Sequence, residues 1–362
     1  MNIICPINPL GYGVTGLNIV KELSKRVEVS LWTIGQPQVT EEEDALVVKK
    51  CISNAKFFNY EDPSIRIWHQ HDMAQFVGCG EHVGFPIFEL DTFSPIERHQ
   101  LNSVDRLFVC SEWAKNVCLN NGIKPRGATF DNPKIDIIPL GVDLNTFKPC
   151  EINPGPTIFF NCGKWEVRKG HKILPEIFNK AFTDDDNVEL WIMCSNPFLD
   201  EQEDLQWKRL YSDSELGHKI RFINRVSNHR EVYNIMSRVD CGVFPSKAEG
   251  WNLEPLELMA CGKHVIITNY SAHTEFCNSN NSKLINIDNL EPAYDGKWFN
   301  GKVGQWAEFG KSQIDQTVEY MRDIHNLKQS GNLNQNLDGV KTANRFTWEN
   351  TAEEILKNVQ YL

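Results

Sequence analysis

The sequence predicts an α/β protein in two halves, each a parallel sheet built from strand–helix–strand units. Three observations predict it. Apolar strand-like runs alternate with helical patterns along the chain, the order that parallel sheets require. The first strand of each half runs into a glycine-bearing turn, at residues 11–16 and at Gly163. Residues 147–156 (Phe-Lys-Pro-Cys-Glu-Ile-Asn-Pro-Gly-Pro) concentrate three prolines and a glycine, as a linker would. A chain of 362 residues is long enough for two ordinary domains.

In the first half, strands are expected at residues 2–7, 27–34, 65–68, 83–88, 106–110 and 135–139. A helix is expected at 17–25, where Leu17, Val20 and Leu23 share one face. Ser111 is placed to cap a second helix at 112–119. In the second half, strands are expected at 157–162, 188–194, 220–223, 241–244 and 265–268, with helices at 172–182, 230–239 and 253–261. Residues 288–310, rich in glycine and aromatics, read as a long loop. A helix at 312–327 precedes an Asn-rich polar stretch, and a last helix at 339–360 carries Phe-Thr-Trp at 346–348. The domains expected are 1–150, 151–338 and a C-terminal helical segment, 339–362.

Composition bounds the function. A net charge of −11 excludes a large basic footprint for nucleic acid. No apolar run approaches the ~20 residues of a membrane span. Peripheral membrane contact through Lys21, Lys25 and Arg26 stays open. Residues 1–8 read as a strand without a basic leader, so no signal peptide is expected. Eleven cysteines occur without a Cys-x-x-Cys pair, which suggests reduced core thiols, no zinc site and a cytoplasmic protein.

Residues 249–257, Glu-Gly-Trp-Asn-Leu-Glu-Pro-Leu-Glu, are the most informative segment. A strand leads into them and a short helix leads out, so Glu249 precedes a helix N-terminus and Glu257 lies one to two turns inside. Asn252 is placed to cap the helix, and Pro255 falls in its first turn. The free N–H groups and the positive dipole end between the two carboxylates suit a diphosphate. The carboxylates suit hydroxyls on either side of it, and a nucleotide sugar has that order. Ordinary capping chemistry is the competing reading.

This Glu, seven residues, Glu spacing, followed by Leu-Met-Ala-Cys-Gly at 258–262, resembles the donor-site signature of retaining glycosyltransferases of family 4. The resemblance implies the GT-B fold, in which two Rossmann-like domains face each other across a cleft and a C-terminal helix crosses back to the first. It implies that Glu249 lies at the transferred sugar and that Glu257 holds the ribose. It also implies that the backbone of Trp251, Asn252 and Leu253 runs along the diphosphate and sugar. Asn252 stands where the family usually has a smaller residue.

Residues 161–170, Asn-Cys-Gly-Lys-Trp-Glu-Val-Arg-Lys-Gly, follow the first strand of the second half. Lys164, Arg168 and Lys169 put three cations at a strand C-terminus, where ligands gather in open α/β sheets. They suit a diphosphate clamp, against the alternative of a solvated basic loop. The segment resembles the family's Gly-Arg…Lys-Gly pattern, with Lys169 matching the Lys. Lys164 replaces an Arg and lacks its bidentate fork, a share that Arg168 is expected to supply.

In the first half, Gly-Tyr-Gly-Val-Thr-Gly at 11–16 matches a dinucleotide fingerprint, but no acidic residue ends the second strand, which argues against NAD. The resemblance implies that this loop, including Gly13, lies close to donor and acceptor. Residues 105–111 and 138–143 match family segments of structural role. Glu89 is the candidate for acceptor activation. Asp91 competes for that role, or caps a helix. His69 and His71 lack a third metal ligand at useful spacing, and Asp184, Asp185 and Asp186 read as a solvated loop.

The reading is a retaining glycosyltransferase that moves a hexose-type sugar from a nucleotide-diphospho-sugar, UDP- or GDP-linked, to a glycan or other hydroxyl acceptor. It needs no metal and no separate cofactor. Glu249, Glu89 and Lys169 are its catalytic candidates. Gly13, Lys164, Arg168, Trp251, Asn252, Leu253 and Glu257, with Lys169, are its donor-binding candidates. The competitors are a nucleotide-sugar epimerase on the same fold and a catalytically silent nucleotide-sugar or glycan-binding protein.

Overall fold

The computed structural model describes residues 1–226 and 228–359. The chain divides into two compact units, Met1–Gly141 with Phe346–Leu362, and Val142–Arg345. Among the described residues each unit holds one six-stranded parallel sheet, and the second adds a hairpin.

The first unit runs β1 (Asn2–Cys5), α1 (Gly11–Ser24), β2 (Ser30–Thr33), α2 (Glu42–Asn54), β3 (Ser64–Trp68), β4 (His82–Pro86), α3 (Pro95–Asn102), β5 (Arg106–Val109), α4 (Glu112–Asn120) and β6 (Ile135–Ile137). Its sheet order is β2-β1-β3-β4-β5-β6. β1, β4 and β5 are buried along their whole length, as central strands covered on both faces must be. Ser111 caps α4 through the Ala114 N–H, as predicted.

The second unit runs β7 (Thr157–Gly163), α5 (Leu174–Ala181), β8 (Val188–Cys194), α6 (Glu201–Ser212), β9 (Ile220–Phe222), α7 (His229–Met236), β10 (Cys241–Phe244), α8 (Leu253–Ala260), β11 (His264–Thr268), β12 (Lys283–Ile285), β13 (Leu290–Tyr294), β14 (Asn300–Ala307), α9 (Lys311–Gln329) and α10 (Leu337–Ala343). The sheet order is β12-β11-β10-β7-β8-β9. β7 and β10 are adjacent and parallel, so the loops that follow them leave the same edge of the sheet. α11 (Trp348–Asn358) returns to the first unit, where Arg26 reaches Glu349 at 3.0 Å and Thr351 donates to the Pro139 carbonyl.

Four expectations need revision. The proline-rich stretch at 147–156 is not a free linker: the division falls at Gly141, Phe147 is fully buried in the second unit, and the Cys150 N–H donates to the Cys261 carbonyl. Residues 290–307 form an antiparallel hairpin inside the expected loop, turned by Asp295, whose carboxylate accepts three successive N–H groups. The expected helix at 339–360 is two helices, α10 in the second unit and α11 in the first, because Thr347 starts a new N-cap; residue 360 lies outside the described residues. Asp91 does not cap a helix: Ser94 caps α3 in a capping box with Glu97.

Candidate functional site

The site starts where β7 ends. Gly163 takes φ 139, and a 3-10 turn, Val167–Lys169, is closed by Gly170 at φ 78. A Cβ at position 170 would lie 2.3 Å from the Pro245 carbonyl oxygen, so only glycine lets this turn meet the loop that follows β10. The Lys247 N–H donates to the Arg168 carbonyl at 2.7 Å and joins the two loops.

Glu249 lies in that second loop, 4% exposed. One carboxylate oxygen is 2.7 Å from an Arg168 terminal nitrogen, and the other is 2.9 Å from Lys169 Nζ. Arg168 also donates to the Ala248 carbonyl and to Glu166, both at 2.6 Å, and Lys164 pairs with Glu166 at 3.0 Å. The result is one relay, Lys164–Glu166–Arg168–Glu249–Lys169, whose three positive and two negative charges leave one positive charge. Burial alone would raise the Glu249 carboxyl, but Arg168 and Lys169 hold it well below the usual range. Burial would lower Lys169, but Glu249 and then Glu254 hold it above the ordinary lysine value. The pair is ionised at any physiological pH. The Glu249 backbone is pinned as well: its N–H donates to Ser271 Oγ at 2.8 Å, and its carbonyl accepts from the Ala272 N–H.

α8 begins three residues beyond the Gly250 that follows Glu249, and its free N–H groups start at Leu253. Asn252 occupies the N-cap position at φ 79, but its side chain makes no capping hydrogen bond; its Nδ2 lies 3.1 Å from His273 Nε2. Trp251 contributes backbone to this start while its ring packs on Phe276, 5.1 Å between centroids. Glu257 lies in the second turn, 8% exposed, and no hydrogen bond or ion pair engages its carboxyl among the described residues. Burial first, then Glu254 and Asp143, push its pKa up to about 8.

Sequence-derived candidates therefore meet in the second unit: Lys164, Arg168, Lys169, Glu249, Trp251, Asn252, Leu253 and Glu257 lie on two joined loops and one helix. Arg168 is corrected in role. Its guanidinium is buried and faces Glu166, Ala248 and Glu249, so it is a strut under Glu249 more than a ligand-facing cation. Glu166, Ser271 and His273 were missed. Glu166 stood between two assigned cations and was readable as their partner. Ser271 and His273 follow β11, and only the fold brings them near Glu249.

The first unit holds Gly13 and Glu89. Gly13 is not an open cradle. α1 starts at Gly11, and a Cβ at Gly13 would lie 2.2 Å from the Asn8 carbonyl oxygen, so the glycine serves the contact between α1 and the loop before it. Glu89 follows β4, half-buried. It lies near Tyr12, whose phenol is raised by burial first and by Glu89 second. Tyr12 Oη accepts from the Ile87 N–H and donates to the Ile87 carbonyl, fixing the segment that carries Glu89. The His69 and His71 rings stack, 5.3 Å apart. Asp186 accepts from Thr183, and Asp184 faces His218.

Residues 144–292, all within the second unit, match the family model described as glycosyl transferases group 1. No curated protein sequence matches the chain. Three solved structures similar to it share its fold over nearly the full length. The Anabaena protein HepE, in a crystal with UDP-glucose, is 15% identical with a TM-score of 0.70, covering 100% of each chain. Sucrose-phosphate synthase from Thermosynechococcus elongatus is 14% identical with a TM-score of 0.69, covering 99% of this chain and 98% of that one. A glycosyltransferase from Rickettsia africae is 14% identical with a TM-score of 0.68, covering 99% and 97%. The fold is GT-B. No helix among the described residues is long and apolar enough to cross a membrane.

Proposed function

We propose that the protein transfers a sugar from a nucleotide-diphospho-sugar to a hydroxyl acceptor with retention of configuration, and that it needs no metal at the diphosphate. One observation carries the reading: a buried glutamate, Glu249, is held ionised between Arg168 and Lys169 directly before the N-terminus of α8. The family match and the UDP-glucose bound to the HepE structure support a nucleotide sugar as donor.

In this reading the α8 N–H groups and Lys169 receive the diphosphate, with Lys164 at the half-exposed end of the relay. The net positive charge of the relay and the helix dipole take the place of a cation. Glu249 accepts from a sugar hydroxyl and Glu257 from the ribose. The bond between the anomeric carbon and the diphosphate oxygen breaks, and the acceptor oxygen bonds to the same face. The acceptor proton passes to the departing diphosphate. Glu89 remains the candidate for assisting the acceptor.

The test is a transfer assay with UDP-, GDP- and ADP-sugars over a panel of hydroxylated acceptors, with the anomeric configuration of the product read by NMR. Inversion, or C4 epimerisation of the donor without transfer, would refute the reading.

A further inference from the structure

The start of α8 carries a buried polar side chain outside the charge relay. Asn252 is 7% exposed and sits at φ 79, ψ 93, a conformation that non-glycine residues seldom adopt. Its Nδ2 lies 3.1 Å from His273 Nε2. The other imidazole nitrogen, Nδ1, lies 3.1 Å from the Thr268 carbonyl oxygen. A carbonyl can only accept, so Nδ1 carries the ring proton. Burial lowers the His273 pKa to about 4, so at neutral pH Nε2 is bare and accepts. Asn252 must then turn its NH2 group toward His273, which settles which end of the amide is the oxygen. That oxygen, Oδ1, is buried and has no hydrogen-bond partner among the described residues.

An unpaired buried acceptor is costly, and the positive φ adds strain at the same residue. Both costs fall three residues after Glu249 and directly before the first free N–H of α8. The chemistry of the atom narrows what it recognises. Ionised phosphate oxygens have no proton to donate and are repelled by an amide oxygen. A sugar hydroxyl donates. We propose that Asn252 Oδ1 accepts a hydrogen bond from a hydroxyl of the transferred sugar, and that His273 is the positioning residue that presents it. The inference rests on the donor reading above. It makes Asn252 a reader of the sugar and not of the nucleotide.

The test titrates UDP, UDP-glucose, GDP, GDP-mannose, ADP and ADP-glucose into wild type, Asn252→Gly, His273→Phe and His273→Gln. The readout is the ratio of affinities for the sugar-bearing and the sugar-free nucleotide of whichever base binds. Asn252→Gly and His273→Phe should each shift this ratio against the sugar by about 5–30-fold, the range for one or two lost hydrogen-bond equivalents. Affinity for the sugar-free nucleotide should stay within about twofold of wild type. His273→Gln, whose amide can donate to Thr268 and accept from Asn252, should recover most of the loss. Glycine at 252 relieves the positive φ, so the thermal midpoint should hold or rise, which separates a lost contact from a damaged fold. An unchanged ratio in Asn252→Gly, with nucleotide binding intact, overturns the inference and leaves the donor reading standing. Failure of all six probes to bind wild type removes the donor reading, and this inference with it.

Discussion

Glu257→Gln should stabilise the protein above neutral pH and leave it unchanged in acid. The Glu257 carboxyl is buried, its pKa moves from 4.5 to about 8, and burial is the largest cause. A folded-state pKa above the unfolded one means that the folded form holds the proton more tightly. The favourable contribution is complete below about pH 4.5 and is lost as pH rises through about 8. The span is about 3.5 units at about 1.36 kcal/mol each, or about 5 kcal/mol if the whole shift holds. Glutamine keeps the shape and removes the titration. The gain of the variant over wild type should be near zero at pH 4.5, grow steadily to pH 8, and level off above it. For a unit of about 200 residues, each kcal/mol is worth roughly 2–4 °C, so the midpoint should differ by about 10 °C or more at pH 9. Scanning calorimetry of wild type and Glu257→Gln from pH 4.5 to 9 measures it. A gain that is constant with pH, or one that appears only in acid, would refute the assignment of a protonated Glu257 at neutral pH.

Four further outcomes follow from the site. Lys169→Ala should weaken binding of the free nucleoside diphosphate by about 1.5–3 kcal/mol, the range for a charge-assisted hydrogen bond, as read by calorimetry; unchanged affinity would take Lys169 out of the diphosphate site. Transfer should persist in excess EDTA, and complete loss reversed by Mg²⁺ or Mn²⁺ would contradict the reading. Glu249→Ala should leave nucleoside-diphosphate affinity intact, because it releases Lys169, while it cuts turnover on the order of 100-fold and costs about 3–5 kcal/mol of stability by stranding Arg168 and Lys169. Glu257→Ala should instead weaken donor and free nucleoside diphosphate alike, and the reverse pattern would invert the proposed orientation of the donor.

What was legible in the sequence was whatever depended on short-range pattern. Central strands such as β1, β5 and β10 are apolar on both faces and read as unbroken runs. The loop before α8 was legible because its strand, carboxylates, proline and glycine fall within about twenty residues. Surface elements were harder. α2 buries only Val48 and Cys51, and α6 only Tyr211, so neither shows an apolar stripe. The β13–β14 hairpin was hidden because few of its residues are buried and its glycines imitate a loop. At the site, residue identity was readable and partnership was not. Arg168 and Lys169 are chemically similar in a string of letters. Their partners in the fold separate them: Arg168 engages Ala248, Glu166 and Glu249 together, and Lys169 reaches the other oxygen of Glu249. His273 had no local signal at all, because its contact with Asn252 spans β11.

The two glutamates at the start of α8 pose an electrostatic problem that the structure answers in two ways. In the proposed function a diphosphate brings two or more negative charges to a segment that already holds Glu249, Glu254 and Glu257. Three ionised carboxylates there would oppose it more strongly than one helix end attracts it, since a helix N-terminus carries only about half a positive charge. Glu249 is neutralised by pairing: Arg168 and Lys169 keep it an anion without leaving its charge uncompensated. Glu257 is neutralised by burial, which keeps its proton on at neutral pH. In the proposed function this difference divides their work. The paired anion stands where positive charge develops on the sugar, and the protonated acid stands at the neutral ribose. Binding through ribose hydroxyls that donate to Glu257 would favour its ionised form. Association with the nucleotide between pH 5 and 8 should therefore release up to one proton, a quantity given by calorimetry in buffers of different ionisation enthalpy. Proton uptake instead would mean that the ribose accepts from Glu257 and that the acid form is the one that binds.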